Sequence, residues 1–300
     1  MPSSPSSADL EGLVVSGHGR HVVVEAADGS RLLCHARGKK SECVVGDRVL
    51  WQRTGDEGVV EATLPRQNLL YRQDEWKTKA FAANLDQLLV VVAAEPVFSE
   101  SQLARSLIAA RAAAIPARIV LNKHDLPAWA AAEARLAPYV RMGVDVIGVA
   151  LKNEPAEAHA LLAPLLADRT TLVLGPSGAG KSTLVNLLVK DARAQVGEVS
   201  EALNTGRHTT TATHWYWIDP ERRGALIDSP GFQEFGLRHI AVNDLAGLMP
   251  DIGAHAEACR FYNCTHLHEP GCGVLAAIER GEIGESRYRI YREVLAELKG

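Results

Sequence analysis

Thr171-Leu-Val-Leu-Gly175-Pro-Ser-Gly-Ala-Gly180-Lys181-Ser182-Thr183-Leu-Val-Asn-Leu-Leu-Val189 is the stretch on which the fold turns. Its centre, Gly175 to Ser182, satisfies G-x-x-x-x-G-K-[ST] at every position. An apolar run, Thr171–Leu174, reads as a strand leading in, and Ser182–Val189 reads as a helix leading out. In that setting Gly175, Pro176, Ser177, Gly178, Ala179 and Gly180 let consecutive backbone N–H groups turn inward around phosphate oxygens, where the helix N-terminus adds positive potential. Lys181 is set to reach the β- and γ-phosphates, and the Ser182 hydroxyl, with Thr183 beside it, is set to face Mg²⁺. The competing reading is a glycine-rich turn without a ligand. Chance would produce the pattern in a chain of this length about 1% of the time, and the strand and helix on either side favour a nucleoside triphosphate site.

Upstream, the buried-looking runs Leu88–Ala94, Arg118–Leu121 and Val144–Val149 alternate with Ala/Leu-rich helical stretches near 101–114, 128–140 and 155–167. Alternation of this kind predicts a parallel sheet covered by helices. Asn122-Lys123-His124-Asp125 follows the second run and selects guanine. The Asp125 carboxylate would accept from N1–H and the 2-amino group, whereas adenine would leave it desolvated and unpaired. Lys123 would pack along the base, and Asn122 would tie this loop to the phosphate loop. Downstream, Asp228-Ser-Pro-Gly231 fits D-x-x-G, with Asp228 toward Mg²⁺ through water and the Gly231 N–H toward the γ-phosphate. Between them, Gly206-Arg-His-Thr-Thr-Thr211 reads as a switch in which one of Thr209, Thr210 and Thr211, with Thr210 taken as the candidate, completes the Mg²⁺ shell. An ordinary entry into a strand competes with that reading, because Thr favours strands.

The motif order is unusual: N-K-x-D precedes the phosphate loop by about fifty residues. Cutting a Ras-like sheet after its second switch and joining the old ends through the helix near 155–167 reproduces it. Circular permutation preserves such a site, because the site depends on spatial neighbours. It also attaches whatever follows directly to the element that senses the γ-phosphate.

Residues 10–65 read differently, as short strands (Leu13–Val15, His21–Glu25, Arg31–His35, Asp47–Gln52 and Gly58–Leu64) separated by turns, which predicts a small OB-like or SH3-like barrel. Pro65 to Lys79 reads as a basic connector. Met1–Asp9, rich in Ser and Pro, reads as a disordered tail rather than a signal peptide. With 32 Lys and Arg against 36 Asp and Glu, the net charge is −4, which excludes a uniformly basic nucleic-acid coat but not a local basic face. No apolar run approaches a membrane span. Five cysteines, three of them between 259 and 272, suit a metal knuckle in a cytoplasmic protein better than a secreted disulfide scaffold. Cys259, Cys264, His266 and Cys272 form a four-ligand set for one structural Zn²⁺, with His268 as the alternative imidazole. Buried cysteines beside a surface histidine are the competing reading.

Together these features resemble the RsgA (YjeQ) family, circularly permuted GTPases that act in maturation of the small ribosomal subunit. Pro65-Arg-Gln-Asn-Leu-Leu and Ala83-Asn-Leu-Asp86-Gln87 add to the resemblance, which covers almost the whole chain. It implies a multidomain fold: a disordered tail at 1–9, an N-terminal all-β OB-like RNA-binding barrel at 10–72, a central α/β circularly permuted P-loop GTPase domain at 73–240, and a small, mostly α zinc-binding domain with a C-terminal helix at 241–300. It further implies a cytoplasmic, monomeric GTP hydrolase whose partners are GTP/GDP and the small ribosomal subunit with its ribosomal RNA, not DNA or membrane. Hydrolysis would be stimulated by the subunit and coupled to release.

Two departures stand out. Gly148-Val-Ala-Leu151 lacks the Ser of the Ser-Ala loop that often contacts guanine. Phe232 stands where Ras-like proteins put a water-orienting Gln, so His208 in the switch is the candidate catalytic group beside Lys181, ahead of Gln233. Arg37, Lys39, Lys40, Arg48 and Arg53 on the barrel, Arg287, Arg289 and Arg292 on the last helix, and Tyr262 and His268 in the knuckle are candidate RNA contacts. An ABC-type ATPase is disfavoured because the chain lacks Leu-Ser-Gly-Gly and Ser, not Glu, follows Asp228. A GTP-switched RNA-binding scaffold with little turnover is the alternative function.

Overall fold

The structure is a computed structural model that describes residues 10–18, 21–37, 43–73, 78–190, 192, 213–229 and 237–299. The first five strands, β1 (Leu10–His18), β2 (His21–Ala26), β3 (Arg31–Ala36), β4 (Arg48–Thr54) and β5 (Glu57–Thr63), pair in the order β1-β2-β3-β5-β4, and a β1–β4 pairing closes them into a barrel. The β3–β5 pair is parallel and the others are antiparallel, the arrangement of an OB-like barrel. Alternation along β4 and β5 turns Val49, Trp51 and Val60 inward, where they join Val14, Val22, Val24, Leu32 and Cys34 in a core of their own.

The segment read from sequence as a connector contains an antiparallel ribbon, β6 (Leu69–Gln73) with β7 (Thr78–Ala83). Beyond it come β8 (Gln87–Ala93), α1 (Glu100–Ala112), β9 (Ala117–Asn122), α2 (Trp129–Arg141), β10 (Val146–Val149), α3 (Pro155–Leu166), β11 (Thr170–Leu174), α4 (Lys181–Leu188), β12 (Thr213–Trp217) and β13 (Ala225–Asp228). Their spatial order is β10-β9-β8-β11-β13-β12, parallel throughout except for the antiparallel β12–β13 pair. Every residue of β8 is buried, as a strand covered on both faces requires. Leu88, Val90 and Val92 pack on one face with Leu172 and Leu174, while Leu89, Val91 and Val173 pack on the other with Leu162, Leu184 and Val185. The phosphate-loop strand β11 lies between β8 and β13, and α3 joins the old ends of the sheet, so chain order and spatial order differ as a permuted sheet demands.

The remainder is helical: a 3₁₀ turn at Val242–Asp244, then α5 (Leu245–Leu248), α6 (Pro250–Ala256), α7 (Gly273–Glu279) and α8 (Glu285–Lys299). These pack on the α1 side through Ile252, Val274, Ile290, Val294 and Leu295, which are continuous with the main core. No helix among the described residues is long and apolar enough to cross a membrane.

Candidate functional site

The strands β8, β9, β11 and β13 end on one edge of the sheet, and a cavity of about 640 Å³ opens there. At one end lies the phosphate loop. Gly180 has φ +111°, and a Cβ there would meet Asn122 Nδ2 at 2.3 Å, so only glycine permits both the turn and the close approach of the neighbouring loop. Asn122 fills that space, donating from Nδ2 to Ala179 O at 2.9 Å while its Oδ1 accepts from Lys123 N at 2.8 Å and Leu151 N at 3.1 Å. One buried side chain thus joins three loops. Lys123 takes φ +68° and donates its ammonium to the Glu95 carbonyl.

Lys181, the first residue of α4, donates Nζ to Gly175 O at 2.6 Å and Pro176 O at 3.1 Å. Burial pulls its ammonium below the usual lysine range, while Asp228 opposes that shift. Across from it, burial pushes the Asp228 carboxyl up to about 6, with Lys181 and the Ser229 N–H drawing it down. Asp228 Oδ1 is buried and has no hydrogen-bond partner among the described residues. The Asp228 carboxylate and the exposed Ser182 hydroxyl are oxygen donors suited to a hydrated Mg²⁺, and the Lys181 ammonium in the same cavity suits the phosphate chain such an ion would accompany. Ser182 and Thr183 line the same cavity. His208, Thr209, Thr210, Thr211, Gly231, Phe232 and Gln233 lie outside the described residues.

At the other end of the cavity stands Asp125, whose Oδ2 accepts from Asn153 Nδ2 at 2.6 Å. Beside it His124 Nε2 meets Glu154 Oε2 at 2.6 Å, and Trp129 packs edge-on to the His124 ring. Sequence reasoning missed Asn153 and Glu154. The signal that could have found them is the polar run Lys152-Asn-Glu154, separated by two residues from a strand that ends on the site's edge.

The second cluster lies between α6 and α7. One ligand atom from each of Cys259, Cys264, His266 and Cys272 falls within 4.8 Å of the others. Cys259 Sγ and Cys272 Sγ are 3.8 Å apart, and His266 Nδ1 is 3.4 Å from the first and 3.5 Å from the second. Tetrahedral Zn–S bonds of about 2.3 Å require edges of about 3.8 Å, so the four residues fit a metal ion of that geometry. Burial pushes the Cys264 thiol up to about 12 and holds His266 toward its neutral, ligating form. His268 is exposed and lies outside the cluster. The Glu269 carboxylate organises the loop, accepting from the backbone N–H of Thr265, Leu267 and His268 and from the Thr265 hydroxyl.

The basic candidates divide. Arg48 and Arg53 are exposed, Arg37 is paired with Glu61, and Lys39 and Lys40 lie outside the described residues. Asp47 is buried and holds Arg66 at 2.7 and 2.8 Å. Arg287 is no surface group: it is 3% exposed, clasps Asp251 at 2.7 and 3.1 Å, and lies over the Tyr139 ring. Tyr262 is fully exposed rather than packed in a core.

The profile of the family described as RsgA GTPase matches residues 63–238 of the chain. The chain is 60% identical to the small ribosomal subunit biogenesis GTPase RsgA of Variovorax paradoxus, over 96% of this chain and 92% of that protein. It is 54% identical to the protein of the same name from Bordetella pertussis, over 97% of each. Among solved structures, YjeQ from Thermotoga maritima is 31% identical with a TM-score of 0.69, covering 97% of this chain and 99% of that one. YloQ, described as a circularly permuted GTPase, is 27% identical with a TM-score of 0.68, covering 99% and 98%.

Proposed function

This chain belongs to the RsgA GTPase family, and on that premise we propose that it binds the small ribosomal subunit through ribosomal RNA late in subunit maturation, with GTP hydrolysis stimulated by the subunit and coupled to release. The chain is a GTPase of small-subunit biogenesis. The observation that carries the proposed division of labour is a single cavity with a phosphate loop and an orphaned buried carboxylate at one end, and the Asp125 carboxylate at the other. In this reading Asp125 accepts from guanine, Asn122 and Lys123 shape the base pocket, and residues Gly175 to Thr183 cradle the phosphates through backbone N–H groups and the Lys181 ammonium. Ser182, Asp228 and Thr210 would hold Mg²⁺, which when bound neutralises charge developing on the phosphate oxygens. Gly231 would meet the γ-phosphate, and His208 would orient or deprotonate the attacking water when RNA is bound. Cys259, Cys264, His266 and Cys272 would hold one structural Zn²⁺, with no ligand position open for catalysis. The working protein is a cytoplasmic monomer that binds neither DNA nor membrane. Its barrel, residues 10–72, and its knuckle domain, residues 241–300, meet the RNA on either side of the GTPase domain, residues 73–240.

The test is GTP hydrolysis with and without purified small subunits, with ATP and large subunits as controls. Strong stimulation by small subunits alone is expected, and His208→Ala should remove it while leaving GDP binding intact. GTP-dependent binding to the subunit without stimulated turnover would instead favour a switched RNA-binding scaffold.

A further inference from the structure

The strands β9 and β10 are parallel neighbours in register, Asn122 opposite Val149, so the loops that follow them face each other across the base end of the cavity. The backbone of these loops is fixed on both sides. His124 N donates to Val149 O at 3.2 Å, Leu151 N to Asn122 Oδ1 at 3.1 Å, and Glu154 N to Ala150 O at 2.8 Å, after which Pro155 starts α3. On this frame stand two side-chain rungs joining consecutive residues of each loop: His124 to Glu154 and Asp125 to Asn153, each at 2.6 Å.

The second rung has a defined polarity. An ionised carboxylate only accepts, so the Asn153 amide must present its N–H to Asp125. One N–H occupies one lone pair of Oδ2, which leaves Oδ1 and the remaining Oδ2 lone pair for other donors on a residue that lines the cavity. Guanine presents two coplanar donors, N1–H and the 2-amino group, to this acceptor. Both bonds form only if the carboxylate plane matches the base plane, and the terminal torsion of Asp is broad and weakly restrained. Something must hold that torsion. The loop after β10 has no hydroxyl to do so where it leaves the strand, because Ala150 and Leu151 stand there, and Asn153 is the residue whose side chain reaches Asp125.

We infer that Asn153 is a specificity-positioning residue: its side-chain amide fixes the plane of the Asp125 carboxylate so that both oxygens meet guanine, replacing the hydroxyl this loop lacks. The inference rests on the guanine reading of Asp125 and deepens it. It makes a distinction that a merely structural role for Asn153 would not. GDP uses both carboxylate oxygens, whereas IDP, lacking the 2-amino group, uses one and tolerates a rotated carboxylate.

The experiment measures the affinity of the full-length protein for GDP, IDP and ADP, in wild type, Asn153→Ala and Asn153→Asp. Asn153→Ala should weaken GDP about tenfold, the loss of one hydrogen bond to a charged acceptor, and IDP by less than about threefold, so the GDP-to-IDP ratio falls. Asn153→Asp, nearly isosteric, should weaken GDP more than Asn153→Ala does, because two carboxylates then face each other. Equal losses of GDP and IDP in Asn153→Ala would overturn the inference, as would Asn153→Asp binding GDP like wild type. A wild-type protein that does not prefer GDP to ADP would overturn the guanine reading itself, an outcome visible without either variant.

Discussion

Asp228 carries the sharpest conflict between folding and function at the scale of a single residue. Burial raises its carboxyl from 3.8 to about 6 in the folded protein. Between those two values the folded state binds more protons than the unfolded chain, so stability is full below about pH 4 and falls as pH rises through 6. A rise of that size corresponds to at most about 3 kcal/mol. Denaturant unfolding of the nucleotide-free protein should therefore show a downward slope from pH 4 to about 6.5 that Asp228→Asn flattens, while the same variant loses Mg²⁺-dependent GTP binding. Identical slopes in the two proteins would mean that Asp228 is ionised at no cost. That Lys181, Ser182, Asp125 and Asp228 gather around one cavity was legible in the sequence, because their motifs encode local backbone geometry. Tyr216 was not: its hydroxyl is pushed up to about 12 by burial and by Asp228, a strand away, and no spacing along the chain reports that neighbour.

Among the elements, the Cys/His knuckle and α8 depend on each other. Tyr288 and Tyr291 of α8 donate their hydroxyls to the His266 and Thr265 carbonyls at 2.8 and 3.2 Å, and Glu269 gathers three backbone N–H groups of the same loop. Glu269→Ala should leave those donors unpaired and misorient His266, weakening Zn²⁺ retention about 10- to 100-fold in competition with a chromophoric chelator. GDP affinity should stay unchanged, since the knuckle lies apart from the cavity residues. Unaltered Zn²⁺ retention would mean that the four ligands hold the loop without help. That Cys259, Cys264, His266 and Cys272 come together was legible from residue type and spacing. The burial of Arg287 could have been read too, since Arg287, Ile290, Tyr291, Val294 and Leu295 fall at helical spacing on one buried face. What the stripe does not show is the partner of its arginine, Asp251 on another helix.

Across the whole molecule, the barrel and the GTPase sheet are continuous. β1 pairs with β12 through Ser16–His214 and Gly17–Thr213, so the strand entering from the candidate switch lies between the barrel and the strand of Asp228. Glu25 on β2, 5% exposed, accepts from Trp217 at 2.8 Å and Arg222 at 3.2 Å of the β12–β13 hairpin, and from Arg31 of its own barrel at 2.8 Å. Gly29 has φ +86°, and a Cβ there would strike the Arg222 guanidinium at 2.4 Å. A second joint uses the two stretches that resembled a family signature: Asn68 brackets the backbone of Leu85, and Asn84 bridges Gln67 N and Gly46 O. Glu25→Ala should remove the buried carboxylate that Trp217, Arg222 and Arg31 share, at a cost of about 3 kcal/mol, and should split the calorimetric unfolding of the full chain into separate barrel and GTPase-domain transitions. A single unshifted transition would assign the joint to the β1–β12 ladder alone. By itself the sequence determined the phosphate loop, the Cys/His cluster, the barrel and the permuted order, because each rests on local spacing and side-chain chemistry. Only the tertiary structure decided that Glu25 serves the hairpin, that Arg287 pairs with Asp251 and that Asn153 holds Asp125. Those contacts join segments 28 to 197 residues apart, or elements brought together by packing, and a chain carries no local record of what will fold against it.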